Sequence, residues 1–266
     1  MKVDGTWPFS DREYEALIRG IQKHFATYLR ILEVKLVRGD TDYVMAVEGD
    51  DEHVVLDVAL DGPFLSRLFD GGYLDCVLEH EVRHLDVVPL SEICALAAPD
   101  VILRKKGPKV HAEVTSGLNV MLQEMIQDVF AISRMSALGQ RKCLEFEFLK
   151  LEVEWKQSTK ITSGEYPKAF LTLRLAELEL VAAKRSCSPP ARFASMKAIA
   201  APNADDETFY DETVTLYDLI WEQAKRESPV LADQAATRRL REILRTQKKP
   251  FVSRGQGAWD SLEKIT

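Results

Sequence analysis

No apolar run in the chain approaches the roughly 20 residues that cross a bilayer. Segments such as Ile93 to Ala98 stop far short, which excludes a membrane-spanning helix. The four cysteines (Cys76, Cys94, Cys143, Cys187) include no CxxC pair, and no basic, apolar and small signal segment opens the chain, so a reducing cytoplasm is the expected compartment. Glycine and proline are sparse, 13 and 11 of 266 residues, and 46% of residues are hydrophobic against 29% charged, which excludes the collagen-like, disordered and coiled-coil classes. There is no excess of positive charge: 35 Lys+Arg face 42 Asp+Glu, a net charge of −7, so nucleic acid is a disfavoured partner. No phosphate loop, dinucleotide fingerprint or GxSxG elbow occurs, which removes nucleotide-dependent chemistry and serine hydrolysis from the leading functions.

What is present divides into a mixed first half and a helical second half. Ser10, with Glu13 three residues on, has the form of a capping box. Tyr14, Leu17, Ile18, Ile21, Phe25, Tyr28, Leu29 and Leu32 then recur at helical spacing, which predicts a helix of about 20 residues with His24 at the edge of its stripe. Three Val- and Leu-rich segments, Glu33 to Arg38, Tyr43 to Glu48 and His53 to Leu60, predict an antiparallel meander. Helical patterns cover Ala112 to Ala137, Lys142 to Gln157, Pro167 to Lys184, Asp211 to Glu227 and Val230 to Gln247. The expected class is α+β, with a metal-binding domain over 1–140 and a helical region over 141–266.

The chemistry concentrates in His80-Glu81-Val82-Arg83-His84, an HExxH motif inside a stretch with helical periodicity and no Gly or Pro. Residues four apart on a helix lie nearly one above the other, so both imidazoles can reach one ion at the roughly 2.0 to 2.1 Å that zinc requires. Glu81 lies about 100° round the helix from His80, within reach of a water on that ion, the position of a general base. Downstream, Glu124 and Asp128 share one helix face among Met121, Leu122, Met125, Ile126 and Val129. A carboxylate buried in such surroundings needs a partner, and zinc would supply one. His111, Glu113, Glu92 and Asp128 compete with Glu124 as third ligand.

An HExxH followed 40 residues later by Glu124-x-x-x-Asp128 resembles the gluzincin group of zinc metallopeptidases. The resemblance implies Zn2+ as cofactor, His80, His84 and Glu124 as ligands, Glu81 as catalytic base and Asp128 as a carboxylate orienting a ligand histidine. It also implies a zincin-like core over about residues 33 to 138 and a protein or peptide substrate, cleaved by a zinc-bound water that Glu81 activates. Arg83 and Asp86 depart from the group, which usually has uncharged residues there; Arg83 either points to solvent or pairs with Glu79, four residues before it. Tyr166, Tyr210 and His111 are the candidate donors to an oxyanion. The alternative expectation is a non-catalytic, helix-rich interaction protein with a relic or structural metal site. A third is a nucleic-acid-associated factor using the basic stretch from Arg238 to Lys249.

Overall fold

The structure, a computed structural model, describes residues 2–4, 10–39, 43–49, 52–60, 64–86, 125–158 and 165–204, and single positions from 207 to 222. The helix expected over Val230 to Gln247 and the basic stretch from Arg238 lie outside the described residues. The described residues are mixed α+β, with one small sheet and a mainly helical remainder. It divides into two compact units, residues 1–86 with 135–146, and residues 87–134 with 147–266.

In the first unit, helix α1 (Asp11–His24) begins as its capping box dictates. Ser10 Oγ accepts the Glu13 N–H, and Glu13 Oε2 accepts the Ser10 N–H at 2.8 Å. The helix is shorter than the 20-residue stripe predicts and ends at Phe25. Phe25 and Leu32 are still buried, so the apolar spacing continues into turns and a strand that face the same core.

The sheet comprises β1 (Lys2–Asp4), β2 (Leu32–Val37), β3 (Met45–Gly49) and β4 (Val54–Ala59), in the order β1-β2-β4-β3. It corrects the expected antiparallel meander. β2, β3 and β4 do run alternately up and down, but β4 inserts between the other two, pairing parallel with β2 and antiparallel with β3. Burial accounts for the order. β4 is the most apolar strand, with Val54, Leu56, Val58 and Ala59 buried, whereas β3 has only Met45 buried and takes the edge. Glu48 lies exposed on that edge strand, where a charge discourages pairing with a further strand.

Helices α2 (Leu65–Asp70) and α3 (Leu74–His84) follow, and α3 packs on α1 and on β3. Leu74, Leu78 and Val82 bury one face of α3 at four-residue spacing. Gly20 permits the approach of α1, because a Cβ there would lie 2.5 Å from Leu78 Cδ1.

In the second unit, residues 125–134 are helical and bury Met125, Ile126, Val129, Phe130 and Ile132. Helix α4 (Ala137–Ser158) begins in the first unit, to which residues 135–146 belong, and continues in the second, which also holds α5 (Glu165–Arg185) and α6 (Phe193–Ala200). α5 buries Leu171, Leu173, Leu175, Leu178 and Val181, which spread around its circumference, as a helix enclosed by others requires. α6 packs on α5, and Phe193 meets the Phe148 ring edge-on at 5.7 Å. No helix among the described residues is long and apolar enough to cross a membrane.

Candidate metal centre

α3 carries the HExxH motif and is fixed at several points. At its start, Asp75 accepts two hydrogen bonds from Lys23 Nζ, at 2.7 and 2.8 Å, and meets His24 Nε2 at 2.8 Å. Partial burial pushes the Asp75 carboxyl up, but Lys23 and His24 outweigh it and hold it below its ordinary value. His24, at the edge of the α1 stripe, thus ties the end of α1 to the first turn of α3, where an acid also suits the helix dipole.

The second fixed point is Glu79, immediately before His80. Its side chain is buried, and both carboxylate oxygens face the start of α4: Oε1 accepts the Ser136 N–H, and Oε2 accepts the Ser136 hydroxyl at 3.0 Å. Ser136 also caps α4, its Oγ accepting the Gly139 N–H at 3.0 Å. The alternative that Arg83 pairs with Glu79 is therefore corrected. Arg83 bonds Asp86 at 3.1 Å, because the helix N-terminus offers the Glu79 carboxylate donors in a drier place.

Beyond this clamp, one face of α4 follows α3. Gly139, Cys143 and Phe146 repeat at four and three residues. Phe146 stacks on Tyr73 with centroids 5.2 Å apart, and Cys143 Sγ lies 3.7 Å from His80 Nδ1.

His80 and His84 turn their Nε2 atoms toward each other, 2.8 Å apart, with ring centroids at 4.6 Å. Two nitrogens each about 2.0 to 2.1 Å from one ion can be at most about 4 Å apart, so this spacing suits a shared ion. Both rings are half-buried, and such a pair could hold a metal ion. Glu81 is also half-buried on α3.

Asp128 belongs to an ionic cluster of the second unit. Arg174 Nη1 donates to Asp128 Oδ2 at 2.7 Å and to Glu177 Oε2 at 2.8 Å, and Arg174 Nη2 lies 3.4 Å from Glu147 Oε2. Lys150 adds a 3.3 Å bond to Glu147. Burial drives the Glu177 carboxyl from its ordinary 4.5 up to about 7; Arg174 opposes the shift, and Asp128 and Glu147 add to it. The alternating glutamates of the Leu144 to Trp155 segment thus serve different ends: Glu147 is inside this cluster, while Glu145 pairs with Lys142 at an exposed position.

Glu124, Glu92, His111 and Glu113 lie outside the described residues. Tyr166 falls at the start of α5. Tyr210 is buried and donates its hydroxyl to Glu179 at 2.7 Å, beneath Lys197, and burial together with that carboxylate raises its pKa well above the usual phenol range. Ser136, Gly139, Cys143 and Arg174 enter the account only with the structure. Each leaves a trace in the sequence: a serine three before a glycine at a helix start, a cysteine at helical spacing from both, and a lone arginine inside Leu171-Thr172-Leu173-Arg174-Leu175-Ala176. No protein family, curated protein or solved structure matches the chain.

Proposed function

We propose that the protein is a zinc-dependent peptide hydrolase in which His80 and His84 hold the ion, Glu81 is the base and, as the gluzincin resemblance implies, Glu124 is the third ligand. The observation that carries this reading is the turn of both Nε2 atoms of the HExxH helix toward each other, 2.8 Å apart. The donor set suits zinc, which takes imidazole nitrogen and carboxylate oxygen and leaves a fourth position open in catalytic sites. When bound, the ion supplies a Lewis acid and lowers the pKa of water. Glu81, one residue from His80, accepts the proton as water attacks the carbonyl carbon. Protein or peptide substrates, and the zincin-like core, rest on the gluzincin resemblance.

The test is Glu81→Gln assayed on a pool of fluorogenic peptides. The variant is expected to keep wild-type zinc content and lose hydrolysis by about 10²- to 10⁴-fold. Zinc lost together with activity makes Glu81 a ligand instead. A structural ion in an interaction protein is the second reading, and it predicts bound zinc with no hydrolysis by the wild type.

A further inference from the structure

We infer that Cys143 is a positioning residue for His80: its sulfur accepts the Nδ1 proton of that ring, so that Nε2 carries no proton and can offer its lone pair to an ion. The inference rests on the metal-centre reading above and adds a residue that the HExxH motif does not contain.

Three observations carry it. Cys143 is buried, and its Sγ lies 3.7 Å from His80 Nδ1, within hydrogen-bonding distance for sulfur. Its placement is built rather than incidental. Ser136 and Gly139, seven and four residues before it on the same face of α4, form the cradle of Glu79, the residue next to His80. Phe146, three residues after it, packs on Tyr73 and Phe64. The α4 face is thus held on both sides of the thiol.

The third observation is the 2.8 Å separation of the two Nε2 atoms. Between two neutral rings at that distance, one nitrogen donates and the other accepts. A proton on His80 Nδ1 makes His80 Nε2 the acceptor and His84 the donor. His80 then presents a lone pair before any ion arrives, and only His84 must change tautomer on binding. The opposite arrangement, with the thiol giving its S–H to Nδ1, puts the ring proton on His80 Nε2 and blocks it. The partner of the distal nitrogen sets which nitrogen of a ligand histidine is available, and loss of such a partner costs about 10- to 100-fold in metal affinity.

The experiment uses the full chain with Cys143→Val, which replaces the acceptor with a slightly larger apolar group, Cys143→Ser, which restores a polar partner, and Cys143→Ala should the valine variant not fold. Two quantities are read: the ¹⁵N shifts of the His80 ring in metal-free protein, and zinc affinity by competition with a chromogenic chelator. The expected wild-type ring is protonated at Nδ1. Val and Ala lose that preference and bind zinc about 10- to 100-fold more weakly, and Ser recovers the greater part. A wild-type ring protonated at Nε2, or a valine variant that matches wild type in both readouts, overturns the inference. A wild type that binds no zinc, yet shows an Nδ1–H ring that valine abolishes, overturns the metal reading and supports the contact between thiol and ring.

Discussion

Arg174→Met is expected to destabilise the protein by about 3–5 kcal/mol at neutral pH, the cost of removing one partner from a buried ionic cluster. Methionine keeps most of the apolar stem, so the loss reports the guanidinium. That group is 14% exposed and serves Asp128, Glu147 and Glu177, themselves 17%, 12% and 0% exposed. Without it, three carboxylates in a dry site lose the guanidinium they share, and one Glu177 oxygen, Oε1, already has no hydrogen-bond partner among the described residues.

The pH dependence has a definite sign. Glu177 holds its proton more tightly folded than unfolded, so its contribution to stability is fully present below about 4.5 and is lost as pH rises through about 7. The Arg174→Met loss is therefore expected to shrink at pH 5, where the cluster takes up protons, and Glu177→Gln to flatten the wild-type stability curve between pH 5 and 7. Urea unfolding followed by circular dichroism at pH 5 and 8 measures both. A loss under about 1 kcal/mol at pH 8 contradicts this account of the cluster.

Gly139→Ala is the second large effect, at about 2–3 kcal/mol, although alanine is intrinsically the better helix former by about 1 kcal/mol. A Cβ at this position would lie 2.1 Å from Glu79 Oε2 and 3.0 Å from Ser136 Oγ. The Glu79 carboxylate is 8% exposed and bonded through both oxygens, so it cannot step aside without losing its donors in a buried place. The cause is isolated by the double variant: in a Glu79→Ala background the same substitution is expected to be neutral or stabilising. Chemical denaturation of the four proteins gives the coupling. Additivity to within about 0.5 kcal/mol contradicts a role for Gly139 as the space that Glu79 occupies.

The sequence made the local elements legible where one physical signal dominates. The Ser10–Glu13 capping box marks the start of α1 to the residue, and the alternation within Val54–Ala59 marks β4. Strand partners were not legible, because alternation shows which face a strand buries and says nothing of its neighbours; β4 therefore enters between β2 and β3 without a signal in the segments themselves. The length of α1 was overestimated for a related reason: Phe25 and Leu32 are buried from non-helical backbone at a spacing that mimics a helix.

The approach of His80 to His84 was readable because four-residue spacing is a local property of one helix. That Asp128 needs a partner was readable from its apolar stripe, but not that Arg174 supplies it. The Glu79 clamp and the Cys143 contact were not, since both join residues more than fifty positions apart. Arg83 and Asp86, which depart from the gluzincin pattern, pair with each other at 3.1 Å at the end of α3.

The central claim, that His80 and His84 hold a metal ion, is tested most directly by elemental mass spectrometry on protein purified without an affinity tag, beside a His80→Ala, His84→Ala double variant. The account predicts close to one zinc per wild-type chain and none in the variant. Equal zinc in both proteins, or none in the wild type after incubation with zinc and dialysis, contradicts it.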